Sequence, residues 1–408
     1  MRLLHTSDWH LGRHTYRVPR APDHDAVIDE IVAIAQDARP HLIVHSGDLW
    51  DVLRPGYDDL QRGVDALRRL AEVAPVLVVC GNHDSPALFR VFARLHGLDR
   101  TLGPGAIAFA ADGSPQPYEA AGEDGERVRV AVLPFVHQNR AVQAFETDPG
   151  QWGAAYLDRL RRIWEILDRG LATGADPRRD VRLLACHTHL EGAVFAKSER
   201  AVHVQDAYAG RAEHIPVVDY CAFGHIHRPQ ALPRGLGRYA GSPIPLDFGE
   251  EGEAKQVVLV EARPGERARV SPVPLSAGRP LLLVTGTLDR VAAQAHAADG
   301  ALCRVVVTSA APVPDVADRV REALPGAVIL EVQNQAAGER LQVVRERDAG
   351  EGGEPGLDEL FRGYLAERGT PGAEADRVLR TFRALWRAAE EEAPPRLEAL
   401  DALRGGDA

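Results

Sequence analysis

Two hydrophobic periods alternate along the first 250 residues. "RLLHTS" (2–7), "HLIVHS" (41–46) and "PVLVVC" (75–80) are short apolar runs closed by polar residues, and each reads as a buried strand. "VRVAVLP" (128–134), "VRLLAC" (181–186) and "VVDYCAF" (217–223) have the same character. Between the early runs, "DAVIDEIVAIAQDA" (25–38) places Val27, Ile31 and Ile34 at helical spacing, and "YDDLQRGVDALRRLAEV" (57–73) reads as a second helix. Strands alternating with helices predict an α/β core whose helices pack over a sheet. The polar stretches 111–127 and 171–180 read as surface loops.

The pattern breaks near "SAGRP" (276–280). Beyond it, "LLLVTGT", "DRVAAQAHA", "LCRVVVT", "VADRVREAL" and "AVILEV" read as strand, helix, strand, helix, strand, a small α/β domain over 279–335. Residues 336–355, rich in Gly and Glu, read as a linker. Within 356–408, Leu357, Leu360, Phe361, Tyr364 and Leu365 lie at helical spacing, and Val378, Leu379, Phe382, Leu385 and Trp386 repeat it, which predicts two amphipathic helices. The division expected is therefore 1–278, 279–335, a linker over 336–355, and helices over 356–408.

An apolar content of 45% is enough for sizeable cores, and no run of about 18 apolar residues indicates a membrane span. The first residues read as a strand beginning at Leu3, not as a basic-then-apolar leader. Cys80, Cys186, Cys221 and Cys303 show no CxxC spacing and fit reduced thiols in a cytoplasmic protein. The net charge of −11 argues against a polyanionic partner. However, residues 351–408 carry 13 Asp and Glu against 8 Arg, so −5 of it sits in the tail, and a bound cation would neutralise a carboxylate cluster. Lys197 and Lys255 are the only lysines beside 46 arginines, a bias that also suits bidentate phosphate contacts.

The candidate chemistry lies where the strands stop. "SDWH" supplies Asp8 and His10, "GDLWD" Asp48, "GNHDSP" Asn82, His83 and Asp84, "CHTHLEG" His187, and "GHIHRPQ" His225 and His227. Ligands of open α/β sheets bind at the carboxyl ends of strands, so these groups are expected to converge there. Carboxylates, an amide oxygen and imidazoles together suit two divalent ions of the Mn, Fe or Zn kind. In "DWH" the side chains at i and i+2 would leave an extended strand on one face. His225 and His227 would do the same if extended; otherwise a glycine-led turn must aim them. His187 is preferred over His189 because it directly follows its strand. Asp84 is a candidate to orient His83, and Ser85-Pro86 reads as a helix N-cap and first helical residue, which would turn free N–H groups toward a phosphate.

Taken in this order, "HTSDWHLGR", "SGDLWD", "CGNHDSP", "FGHIHRPQ" and "YAGSPIPLDFGE" resemble the calcineurin-like metallophosphoesterases, and most closely the nuclease subunits of bacterial DNA-repair complexes. The resemblance is strong over residues 1–250 and looser beyond, and "LPFVHQNRAV" keeps only its first two residues. It implies a sandwich of two β-sheets flanked by helices, with the small α/β domain capping the active site. It also implies that Asp8, His10, Asp48 and His227 hold one ion and Asp48, Asn82, His187 and His225 the other, with Mn²⁺ as the expected metal. His83 would serve the leaving oxygen. The implied reaction is hydrolysis of a DNA phosphodiester, at double-stranded ends by exonuclease and at single strands or hairpins by endonuclease action. The implied partners are a coiled-coil ATPase docked on the C-terminal helices and a second copy of the chain. The site chemistry alone also accommodates a small-nucleotide phosphodiesterase or a phosphoprotein phosphatase. A non-catalytic interaction protein on the same fold would have lost ligands, and none is missing here.

Overall fold

The computed structural model describes residues 1–137, 152–196, 198–199, 209–336, 342–344, 376 and 378–381. Its larger part is a sandwich of two sheets. In the first, Arg2–Thr6 runs parallel to Leu42–His45, which is followed by Val76–Val79 and Ile107–Ala110, also parallel. On its other side Arg2–Thr6 pairs antiparallel with Gln256–Glu261, and Arg269–Pro274 forms the edge. The second sheet is built on parallel Arg127–Leu133, Asp180–His187 and Tyr220–Gly224, with Tyr118–Ala121 antiparallel to the first of these.

Side-chain alternation assigns each strand residue to a layer. Leu3, Leu42, Val44, Leu77 and Val79 face Val128, Val130, Val181, Leu183 and Ala222 of the opposite sheet, and these form the core between the sheets. Leu4, Ile43, Val76 and Val78 face outward, against Val27 and Ile31 of helix Ala21–Ala38, Leu67 and Leu70 of helix Tyr57–Ala71, and Phe89 of helix Pro86–His96. On the far side, Ala131, Leu184, Cys186 and Phe223 pack under Tyr156, Leu160, Trp164, Leu167 and Leu171 of helix Trp152–Ala172. The resulting layers are helix, sheet, sheet, helix. Burial on both faces explains why the central strands read as unbroken apolar runs.

Two loop expectations change. Residues 111–127 contain the strand Tyr118–Ala121, whose alternate residues Tyr118 and Ala120 are buried. The interval 336–355 contains the strand Gln342–Val344, antiparallel to Val332–Asn334 on the edge of the smaller sheet. Three residues are too few to stand out as a periodic signal, and the main chain supplies the pairing.

The smaller sheet carries Leu281–Gly286, Leu302–Ser309 and Val328–Ala336 in parallel. Val284, Val305 and Val307 pack with Val291 of helix Leu288–Ala292 and Val316 and Val320 of helix Val316–Ala323. Its chain leaves the sandwich at Arg279, which Asp23 grips through Nε at 2.9 Å and the main-chain N–H at 2.7 Å while also accepting from the buried Arg20 at 2.6 Å. A separate compact unit comprises Glu346–Ala408. Within it residues 376 and 378–381 are helical and Leu379 is buried; the rest of the helices expected over 356–408, including Leu357, Leu360, Phe361, Leu365, Phe382 and Trp386, lies outside the described residues. Among the described residues no helix is long and apolar enough to cross a membrane.

Candidate metal centre

The five strand ends meet at one rim of the sandwich, but left-handed turns, not strand pleat, aim the first ligands. Arg2–Thr6 ends before Asp8, and Asp8 and His10 have φ of 51° and 50°. The same-face argument for an extended "DWH" therefore does not hold. Asp8 N–H donates to Gly47 O at 2.9 Å and His10 N–H to Asp48 O at 3.1 Å, so the first two loops are stitched together through their main chains. Asp48 is also left-handed, at φ 54°. His225, with φ 93°, takes the turn-based alternative to an extended segment. Such conformations cost on the order of 1–3 kcal/mol each and persist only where the surroundings enforce them. Two glycines make the packing possible. A Cβ on Gly47 (φ 111°) would overlap the His187 ring, and one on Gly81 would overlap the Asp48 carboxylate and main chain.

Hydrogen bonds behind the rings settle which nitrogens face inward. His187 Nδ1 lies 2.8 Å from Ser46 O and must donate to it, which leaves the Nε2 lone pair 2.9 Å from Asn82 Oδ1 and 3.3 Å from Asp48 Oδ2. His10 Nδ1 lies 3.1 Å from Asp51 Oδ1, which leaves Nε2 3.6 Å from Asp48 Oδ2 and 3.1 Å from His227 Nε2. His225 presents its other nitrogen: Nδ1 is 2.7 Å from Asn82 Oδ1 and 3.4 Å from His187 Nε2. Its main-chain N–H holds Asp8 at 3.0 Å. All seven ligand candidates are thus brought together in two groups that share Asp48. Ligand atoms of Asp8, His10, Asp48 and His227 lie within 4.8 Å of one another. Inward lone pairs this close repel unless a cation sits among them, and N/O donors of this kind suit a divalent metal. The residues fit the ions that the chemistry implies.

Electrostatics agree. Burial pushes the Asp8 carboxyl up. At Asp48 burial acts in the same direction, but the charges of His187 and His83 outweigh it and hold the carboxyl well below its usual range. Burial opposes charge on His187, and the Asp48 carboxylate overcomes it and lifts the imidazole to about 9. The charges of the site thus favour a cation among its donors.

His83 lies outside the two groups that share Asp48, but with His10 and Asp51 it forms a further cluster whose ligand atoms lie within 4.8 Å of one another. Its main-chain N–H donates to Asp48 Oδ1 at 2.7 Å, while Nδ1 lies 2.6 Å from Asp51 O and the ring stands edge-on to His10, centroids 4.7 Å apart. Asp84 does not have the orienting part expected of it. Its oxygens accept from the N–H groups of Leu49, Trp50 and Gly81 at 3.2, 3.0 and 2.9 Å, bracing two site loops, and burial raises its carboxyl to about 7. The residue that serves both His10 and His83 is Asp51, the last letter of "GDLWD", which sequence reasoning passed over. Ser85 caps its helix as expected, accepting from Leu88 N–H at 3.3 Å, with Pro86 first in the helix. His189 stacks on His225 with centroids 5.6 Å apart.

Residues 1–229 match the family described as calcineurin-like phosphoesterase, and residues 277–368 match the type 5 capsule protein repressor C-terminal domain. The chain belongs to the calcineurin-like phosphoesterase family, whose fold implies divalent-metal binding. Among its curated relatives, the SbcD subunit of the nuclease SbcCD from Bacillus subtilis (strain 168) is 32% identical over 290 residues, 69% of this chain and 71% of that one. Its namesake from Escherichia coli (strain K12) is 30% identical over 304 residues, covering 72% and 73%. That of Rhodobacter capsulatus is 27% identical over 351 residues, covering 80% and 85%.

Proposed function

We propose that this chain is the nuclease subunit of an SbcCD-type complex, a two-metal phosphodiesterase acting on DNA. The observation that carries the reading is Asp48, a buried carboxylate shared by two groups of inward-facing donors at the sandwich rim. In this reading Asp8, His10, Asp48 and His227 hold one ion and Asp48, Asn82, His187 and His225 the other, with Mn²⁺ as the metal. When bound, the ions would supply Lewis acidity to the phosphate oxygens and the attacking water. The protein's own groups do the rest. The Asp51 carboxylate and carbonyl accept from the Nδ1–H groups of His10 and His83, so that Nε2 of His83, protonated in the imidazolium form, would face the leaving oxygen and give it the proton or stabilise its charge.

The small domain, 279–335, is proposed to cap the site and select DNA, and 356–408 to dock on the coiled-coil base of an SbcC-like ATPase. The name of the SbcCD relatives supports membership of such a complex. A homodimer and activity on duplex ends and hairpins belong to the same proposal. A cytoplasmic location is supported by four buried cysteines, none in a disulfide.

The test is hydrolysis of end-labelled duplex DNA in Mn²⁺, with and without the ATPase, beside bis-p-nitrophenyl phosphate. We expect the small diester to be cut by this chain alone and duplex ends to be cut with the ATPase and ATP. Turnover confined to phosphomonoesters or phosphoproteins would reject the nuclease reading.

A further inference from the structure

His227 differs from the other inward imidazoles in what stands behind it. His10 and His187 are backed directly by Asp51 and by a main-chain carbonyl. Behind His227 is a hydroxyl: Ser198 Oγ lies 2.6 Å from His227 Nδ1 and contacts Glu250 Oε1 as well. A serine hydroxyl has one proton to give. Glu250 is locked as an acceptor, because the buried Lys255 ammonium is paired with its Oε2 and Ser242 Oγ and Leu246 N–H approach the same oxygen at 3.1 and 3.3 Å. The serine proton therefore goes to Glu250, and the oxygen left over must accept from His227 Nδ1–H. That assignment fixes the tautomer and turns the Nε2 lone pair inward, toward His10 Nε2.

The surroundings hold this chain of contacts from both ends. Lys255 Nζ also donates to His227 O at 3.2 Å and to Ser242 Oγ at 3.0 Å, and Glu199 Oε1 accepts the His227 main-chain N–H at 3.0 Å. Lys255 is one of two lysines in a chain with 46 arginines, and it is buried. An ammonium is compact enough to reach one carboxylate oxygen, one hydroxyl and one carbonyl together; a planar guanidinium spreads its donors too widely for this cavity.

We infer that Glu250 is a positioning residue for the His227 half of the metal centre, acting through the Ser198 hydroxyl. The inference rests on the two-ion reading above and adds a selective consequence. Loss of the relay weakens the half-site of Asp8, His10, Asp48 and His227 and spares the half-site of Asn82, His187 and His225. Partners behind a metal-ligating histidine are worth roughly 10–100-fold in metal affinity.

The test titrates Mn²⁺ into the full chain by calorimetry and follows the spectrum by electron paramagnetic resonance. Wild type is expected to bind two ions and give a spin-coupled pair signal. Ser198→Ala, at a half-buried site, is expected to keep one ion at wild-type affinity, lose about 10–100-fold at the other, and show the six-line signal of isolated Mn²⁺ at equal loading. Ser198→Thr, which retains the hydroxyl, restores the pair, and Glu250→Gln behaves as Ser198→Ala; if Glu250→Gln does not fold, the two Ser198 variants decide. Two ions at unchanged affinity in Ser198→Ala overturns the relay while leaving the two-ion reading intact. Fewer than two ions in wild type overturns that reading and the relay with it.

Discussion

At the residue scale, the proposed reading divides the centre into groups that would hold the ions and one, His83, that would move a proton. His83 touches Asp48 through its main chain and Asp51 and His10 through its ring, and in the proposed reading it acts on the leaving oxygen instead of holding an ion. His83→Ala is expected to bind two Mn²⁺ and DNA normally while turnover falls roughly 10²–10⁴-fold, the span of a positioned general acid. Loss of metal in parallel with activity would make the ring a ligand. A second residue gives a pH signature. His24 is buried in helix Ala21–Ala38 and neither ring nitrogen has a hydrogen-bond partner. Burial, with the Arg20 charge beside it, lowers its pKa from 6.5 to about 3. The unfolded chain then binds a proton that the folded chain refuses. The stabilisation is complete above about pH 6.5 and is lost as the pH falls toward 3. Between pH 7 and 5 this one group costs about 2 kcal/mol of stability. Urea melts of wild type and His24→Leu at both pH values should differ by about that increment; identical pH slopes would mean that His24 is charged in the fold.

At the element scale, the strands were legible and the turns after them only in part. Leu3-Leu4, Leu42-Ile43-Val44 and Val76 to Val79 are apolar at every position because both faces of the first sheet are covered. A helix such as Trp152–Ala172 has its apolar residues at the right spacing, yet it lies between polar stretches and went unread. The site residues were legible by type because five such groups recur in order after apolar runs; a Gly-Asp or a Gly-His-x-His alone is commonplace. Their conformation was not. Left-handed Asp8, His10 and Asp48 follow from main-chain bonds between loops about 40 residues apart, which no local pattern encodes. Ser198 and Glu250 were missed for a related reason: neither ends a strand, and their role exists only through His227. The same geometry makes a prediction at Gly81, where backbone passes directly over Asp48. Gly81→Ala must push the shared carboxylate or its loop aside. Elemental analysis after Mn²⁺ loading should show both occupancies reduced, as in Asp48→Ala, in a protein whose far-ultraviolet circular dichroism is unchanged. Full loading in Gly81→Ala would mean that the loop yields without moving Asp48.

At the scale of the whole molecule, every proposed ligand lies between Asp8 and His227, in the sandwich. The unit Glu346–Ala408 contributes none of them. Its apolar residues Leu357, Leu360, Phe361 and Leu365, and later Phe382 and Trp386, are spaced for helices whose remaining positions are largely charged, a pattern suited to seating on a partner surface. Catalysis of a small diester and attachment to an ATPase should therefore be separable. Deleting residues 355–408 is expected to leave a cooperatively melting, two-metal phosphodiesterase with unchanged activity on bis-p-nitrophenyl phosphate. The same deletion should abolish co-purification with an SbcC-like ATPase and the ATP-dependent cutting of duplex ends. Phe361→Glu with Phe382→Glu should reproduce the second effect in a full-length chain, because a charge in the apolar stripe opposes docking without removing the segment. If the truncated protein instead aggregates or melts without cooperativity, the segment completes this chain's own core and the docking surface must be sought on the sandwich or the small domain.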